Sequence, residues 1–329
     1  MADTHRPPAH DSAAAHDSTV AHGTAPRTTP GTTAPGGGPG SGLGPSLEIA
    51  PSPGRLRRIA LDAARAVAPA LAEAFRTSGA ASEAKTSRHD LVTIHDTATE
   101  RALIEMLTAA VPGSSVLGEE TGASSPQGAS RVLWIVDPID GTSNFSHGFA
   151  MFSVSIAAEV DGEVVAAVVL DPANGLEFSA DDTGAWLGDR PLREIARPRP
   201  STDERHLNVV TSYPAAEAVA HEGTAALDRF GRLVTTYATV RRVVSGALEL
   251  CHAAAGWADV VLGVDTNPWD VAAAQLILTR AGGRYIPLGG RTGDTTAAPH
   301  RAPHYVGLAP GRSAPTVETI ARQIVAARR

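Results

Sequence analysis

The sequence predicts a layered α+β protein with two subdomains, and three observations carry that expectation. Segments 151–160 and 163–171 are rich in Val, Ala and Ile, and Asp161-Gly162 between them is a hairpin signal. After residue 207, short apolar runs alternate with stretches of helical spacing, as a mixed sheet with interleaved helices requires. Helix-period segments also flank both blocks, so each sheet has helices to cover it.

Residues 1 to about 52 are rich in Pro, Gly, Thr, Ser, Ala and His, and Ala9-His10-Asp11-Ser12 recurs as Ala15-His16-Asp17-Ser18. That composition buries too little apolar surface to offset ordering entropy, so a disordered tail is expected before a folded region, 53–329. The folded region divides at about residue 200, into 53–200 and 201–329. Leu56, Ile59, Ala63, Val67 and Leu71 have helical spacing from Arg55 to about Ser78, and Pro69 is expected to kink or split that helix. A second helix is expected from His95 or Asp96 to Ala110. Ser115–Gly118 reads as a short strand ending in Glu119-Glu120, and Val132 to Val136 as a buried strand. Phe178 to Leu187 continues an antiparallel sheet. The second half predicts strands at 207–211 and 233–239, with helices at about 215–230 and 245–256. A short strand at 260–262, a helix over 271–281 ended by Gly282-Gly283, a strand at 305–308 and a helix from about Ala314 complete the chain.

A length of 329 residues, with 43% hydrophobic and 19% charged, suits a soluble globular protein, and 4% aromatics make its core mostly aliphatic. A net charge of −7 gives no reason to expect nucleic acid or an anionic membrane as partner. No stretch has the length of a membrane span, and the N-terminus lacks the apolar core of a signal peptide. Cys251 is the single cysteine, so no internal disulfide is possible, and a cytoplasmic location is expected. It lies in an apolar helical stretch and reads as a small buried hydrophobe.

The chemistry concentrates in Trp134-Ile135-Val136-Asp137-Pro138-Ile139-Asp140-Gly141-Thr142. Two acids at the exit of a buried strand repel each other unless a cation lies between them. Mg2+ serves well, using one or two carboxylates with waters and phosphate oxygens. Pro138 fixes the backbone, the Ile139 carbonyl is available, and the Gly141 and Thr142 N–H groups face an anion if a helix begins there. A polar turn after a buried strand fits the same letters. Glu119-Glu120 ends the upstream strand, while Asp270 and Asp96 each also fit as helix caps.

Taken together, Asp137-Pro138-Ile139-Asp140-Gly141-Thr142 with Asn144-Phe145, Gly118-Glu119-Glu120, and Trp269-Asp270 with Ala281-Gly282-Gly283 resemble the inositol monophosphatase family. So do Lys85, Asp90-Leu91-Val92-Thr93, Asp96 and Glu100, and Gly184-Ala185-Trp186 with Gly188 and Pro191-Leu192. The likeness spans roughly 54 to 325. It implies a five-layer αβαβα sandwich of the sugar-phosphatase type, hydrolysis of a small phosphomonoester, and a homodimer. It also implies two or three Mg2+ per site and the lithium-sensitive character of that superfamily. Glu119, Asp137 and the Ile139 carbonyl match first-metal ligands; Asp137, Asp140 and Asp270 match second-metal ligands. Asp96 and Thr142 match the pair that orients and deprotonates the attacking water, and Glu119 joins them as a catalytic carboxylate. Gly141, Thr142 and Asp140, with Ser245 and Gly246, match phosphate and substrate contacts.

The substrate segment departs from the family. Arg241-Arg242-Val243-Val244-Ser245-Gly246-Ala247-Leu248 has Val244 where Gly is usual and Gly246 where Ala is usual. The family's sugar-binding Glu falls on Gly263, with Asp265 as a candidate replacement. Inositol monophosphate is the default substrate, with histidinol phosphate and sugar or amino-cyclitol phosphates as competitors. A non-catalytic binding or regulatory role is the reading from another class.

Overall fold

The computed structural model describes residues 50–78, 88–123, 130–196, 203–289 and 298–328; the N-terminal tail and Lys85 lie outside them. Helices α1 (Pro53–Ser78) and α2 (Arg88–Ala110) come first. Then follow β1 (Ser115–Gly118), β2 (Gly122–Ala123), β3 (Val132–Asp140) and a short helix α3 (Thr142–His147). Strands β4 (Ser153–Val160), β5 (Glu163–Asp171), β6 (Leu176–Asp181), β7 (Gly184–Leu187) and β8 (Arg190–Pro191) complete a sheet of order β2-β1-β3-β4-β5-β6-β7-β8. Only the β1–β3 pairing in it is parallel.

The second half runs α4 (Leu192–Ile195), β9 (Asn208–Thr211), α5 (Ala216–Glu222), α6 (Thr224–Thr236), β10 (Thr239–Arg241) and α7 (Gly246–Ala254). It ends with β11 (Val260–Val264), α8 (Pro268–Arg280), β12 (Arg284–Leu288), β13 (His304–Leu308) and α9 (Pro315–Ala327). The second sheet has order β10-β9-β11-β13-β12, parallel on its β10 side and antiparallel on its β12 side.

Three apolar clusters set the layers. Leu56, Leu71, Leu103 and Leu107 of α1 and α2 pack on Trp134, Ile156 and Val168 of the first sheet. The opposite face, with Ile135, Ala157 and Phe178, meets α7 and α8, which also touch Val210, Val261 and Tyr305 of the second sheet. Val209, Leu262 and Leu308 on the far face meet Leu233 of α6 and Val317 and Ile320 of α9. The expected αβαβα sandwich is therefore present. Helix α8 lies between two sheets, which explains why Val271 to Leu278 is buried all round.

Three expectations on elements need correction. Pro69 does not split α1, because it stands on the exposed side where the carbonyl it leaves without a partner is open to water. Helix α2 starts at Arg88, ahead of Asp96, so Asp96 lies within a helix and does not cap one. Residues 233–236 belong to helix α6 instead of a strand; only 239–241 is extended. Their β-branched run suggested a strand, but Ala226 and Leu233 form the buried stripe of an amphipathic helix. Strand β12, with Pro287 on the sheet edge, carries no alternation and was not expected.

Candidate active site

Strand β3 delivers the acids by losing a neighbour. Its residues 133–136 pair with β1, whereas 137–140 have only β4 beside them. Pro138 therefore loses no ladder bond on that side, and the register slips between Asp137 and Asp140 as a bulge. Asp137 Oδ1 accepts the Ile139 N–H at 3.0 Å, which leaves the Ile139 carbonyl to accept Thr142 Oγ1 at 3.0 Å. Gly141 then turns the chain at φ +91; a Cβ there would stand 2.9 Å from the Met151 carbonyl. Helix α3 starts at once, so the Gly141 and Thr142 N–H groups head it.

Asp137 is buried, and its carboxyl is pushed well up, first by burial and then by Asp140, Glu119 and Asp270. Glu119 hydrogen-bonds Asp137 and is itself raised, chiefly by burial. Two carboxyls can share a hydrogen bond only through a proton held between them. Asp270 is third in α8, accepts the Asn267 N–H at 2.8 Å, and titrates at about 7 through burial. It is thus both helix cap and member of the acid cluster.

Asp140 differs from its neighbours. It accepts Ser245 Oγ at 2.5 Å, the Gly246 and Ala247 N–H groups at 3.0 Å each, and Ser153 Oγ at 3.3 Å. Burial raises it, but these donors at the N-terminus of α7 work against that rise. Ser245 and Gly246, expected as substrate contacts, are spent on Asp140 in this geometry.

Asp96 is buried, and its Oδ1 has no partner among the described residues. Burial, then Glu120 and Glu119, lift it to about 7. Sequence reasoning gave no role to its neighbour Glu100, which is fully buried and accepts the Glu120 and Thr121 N–H groups at 2.9 Å each. That carboxylate holds the loop carrying Glu119. A second missed acid is Glu249, raised by burial to about 8, whose Oε1 takes Ser212 Oγ at 3.1 Å and the Val244 N–H at 3.2 Å. Its signal was in plain view: a carboxylate amid Ala247-Leu248-Glu249-Leu250-Cys251, where Cys251 is buried as expected.

The lip beside the acids comprises residues 243–248, where Ser245, Gly246 and Ala247 bond Asp140, together with residues 263–265. Val244 sits at φ +61, which for a β-branched residue is a genuine outlier costing about 1–3 kcal/mol. A Cβ at Gly263 would stand 2.0 Å from the Tyr305 ring, so Tyr305 fills the space a side chain there would need. Tyr285 stacks on Tyr305 with centroids 4.9 Å apart, and neither hydroxyl has a partner among the described residues. Asp265, the candidate replacement, has its carboxylate paired with Arg328 from the C-terminal end.

The donors are hard oxygens, and the charges acting on Asp137 are those of other carboxylates, a conflict that a cation removes. Among the described residues no three acid, His or Cys side chains converge closely enough to hold a metal ion by themselves. An open set of this kind fits Mg2+, which takes one or two carboxylates and keeps waters and substrate oxygens. The unpartnered Asp96 oxygen fits the same picture, since a water ordered by the cluster would satisfy it.

Comparison with known proteins follows the same lines. The family model described as "Inositol monophosphatase family" matches residues 53–325. The inositol-1-monophosphatase SuhB of Mycobacterium tuberculosis is 38% identical over 247 residues, covering 71% of this chain and 84% of that protein. The Nus factor SuhB of Pasteurella multocida is 34% identical over 253 residues, covering 77% and 90%. Among solved structures, Mycobacterium tuberculosis SuhB matches with TM-score 0.62 at 30% identity, covering 84% of this chain and 96% of that one. The inositol monophosphatase of Anabaena sp. PCC 7120 matches with TM-score 0.64 at 26% identity, covering 82% and 95%.

Proposed function

The chain belongs to the inositol monophosphatase family, and from that premise we propose that it is a Mg2+-dependent phosphatase of a small phosphorylated alcohol. The observation that carries the reading is the set Glu119, Asp137 and Asp270, of which Asp137 is buried, Asp270 half-buried and Glu119 exposed, and which has no basic partner among its strongest influences. Glu119, Asp137, the Ile139 carbonyl, Asp140 and Asp270 would hold the ions. When bound, Mg2+ neutralises these acids and lowers the pKa of water, as hydrolysis without a protein nucleophile requires. Asp96, poised near 7, accepts a proton from a water that it orients together with Thr142 Oγ1. The Gly141 and Thr142 N–H groups hold the phosphoryl oxygens at the head of α3. Asp140, fixed by four donors, keeps the strand end and α7 in one register so that these parts stay aligned.

The substrate within this class starts from inositol monophosphate, the family default, with histidinol phosphate and sugar or amino-cyclitol phosphates as alternatives. Phosphate release measured with Mg2+ and again with EDTA tests the reading. Release that needs Mg2+ supports it; a folded chain inactive on every ester sinks it. That outcome would favour a second, regulatory reading, which the relatives bearing the name Nus factor SuhB bring into view. We also take the enzyme to be cytoplasmic, which a single buried thiol suits, and a homodimer, which sedimentation would test.

A further inference from the structure

Val244 carries backbone strain that its own contacts do not explain. Its N–H donates to Glu249 Oε1 at 3.2 Å, and its carbonyl accepts Asn144 Nδ2 at 3.2 Å. Both bonds use main-chain atoms, so glycine would make them in the same left-handed conformation without strain. The isopropyl group is 41% exposed, so burial does little to offset the cost. Outliers of this kind cluster where a site needs them.

One neighbour shares the exposure. Among the described residues six large hydrophobic side chains stand exposed, Phe149 and Val244 among them. Asn144 Nδ2 also reaches the Met151 carbonyl at 2.7 Å, so the Phe149 and Val244 loops are tied together beside Gly141. Across the lip, position 263 has no side chain, Tyr305 fills the space, and Asp265 is held by Arg328. The exposed Val244 thus stands beside Gly141, where a Cβ would lie 3.3 Å from the Val244 carbonyl, and position 263 adds no polar side chain.

Resting on the phosphatase reading above, we propose that Val244 determines specificity and that the preferred substrate is a phosphomonoester whose alcohol presents an apolar face to this lip. The isopropyl group covers that face and shields it from water; a polyol in the same place gains nothing from it. The reaction stays hydrolysis of the phosphoester, with water supplying the oxygen to phosphate and a proton to the departing alcohol.

The test compares full-length wild type, Val244→Gly and Val244→Ala on phenyl phosphate and inositol 1-phosphate with Mg2+, alongside thermal melting. Wild type should show the higher kcat/KM on phenyl phosphate. Both variants should lose that preference by about three- to tenfold, chiefly through a higher KM for the aryl ester. Val244→Gly should melt at or above wild type, which excludes unfolding as the cause. Val244→Ala keeps the left-handed penalty and removes only the two methyls, so an equal loss assigns the effect to the side chain. An unchanged ratio, a loss confined to the glycine variant, or a wild-type preference for inositol 1-phosphate overturns the proposal and leaves the phosphatase reading standing. An unchanged ratio with altered sedimentation would assign the apolar rim to contact between copies instead. No Mg2+-dependent release from either ester, with other phosphomonoesters also inert, removes both readings.

Discussion

The acid cluster at the end of β3 and the lip of residues 243–248 and 263–265 adjoin, since Ser245 and Gly246 of the lip bond Asp140. They are built differently. The cluster stores electrostatic conflict: Asp137, Glu119 and Asp270 all hold their protons more tightly than ordinary carboxylates, and burial is the first cause in each. The lip stores steric conflict in the left-handed Val244, and at position 263 the Tyr305 ring fills the space a side chain would need. Charge conflict of that form is resolved by a cation and serves a reaction common to many esters. Steric conflict is resolved by shape and bears on which ester fits.

The contrast is sharpest at Asp137. Replacing it with Asn removes a charge that the fold resists and the reaction requires. Phosphate release should fall by about a thousandfold or more, as the loss of a preorganised charged group at a reacting centre implies. The metal-free variant should still melt as one cooperative unit, at or above the wild-type temperature, because a buried repulsion has gone. Full activity in Asp137→Asn would take the cluster out of the chemistry.

At the lip, Gly263→Ala should cost about 1–3 kcal/mol of stability, since its Cβ would stand 2.0 Å from the Tyr305 ring. Tyr305→Val should recover most of that loss when combined with it, because the two residues are partners across β11 and β13. Denaturant titration of both single variants and the double variant gives the coupling. Additive losses would mean that Tyr305 does not occupy the space vacated at 263.

How legible each region was in the sequence follows from the same contrast. Acids that break an apolar run are conspicuous one residue at a time, so Asp137, Asp140 and Glu119 stood out without any knowledge of packing. While the order of five layers came from the family resemblance, the layered α+β class was legible in the Asp161-Gly162 hairpin and the flanking helical stretches. What fills position 263 was not, because Tyr305 arrives from a strand distant in sequence. Nor was the duty of Ser245 and Gly246 toward Asp140, which depends on where α7 docks. Residues 233–236 misled for a third reason: β-branched side chains favour strands locally, and the buried stripe of α6 overrides them.

Protonation gives a smaller effect that separates the regions by pH. Asp96 and Asp270 titrate at about 7 and Glu249 at about 8 in the fold, against about 4 for ordinary carboxylates in an unfolded chain. Raised folded values mean that the native state binds more protons, so this stability is complete below about pH 4 and is lost as pH rises through about 7 to 8. The metal-free protein should therefore melt higher at pH 5 than at pH 8, by on the order of 5 °C. Glu159, held low first by its hydrogen bond from His300, acts below that window, whereas His252 and His304, lowered by burial, oppose the trend within it and reduce its size. Mg2+ should flatten the slope, because it favours the ionised acids. Melting curves in EDTA that are flat across this range would show that the cluster is not strained by its own charge.

The smallest expected effect is at Asp265, two residues past the vacant position. Its carboxylate is half exposed and paired with Arg328, which also binds Glu222 at 2.8 Å. An exposed pair of this kind contributes about 0–1 kcal/mol, so Asp265→Asn should leave the melting temperature nearly unchanged. It should also leave kcat/KM within about twofold for polyol and aryl phosphates alike, because the side chain is directed to the C-terminal helix end and not to the cleft. A KM for inositol 1-phosphate raised tenfold in Asp265→Asn, with the aryl ester unaffected, would mean that Asp265 leaves Arg328 to hold a substrate hydroxyl. The lip would then be a polyol site after all, and its apolar rim incidental.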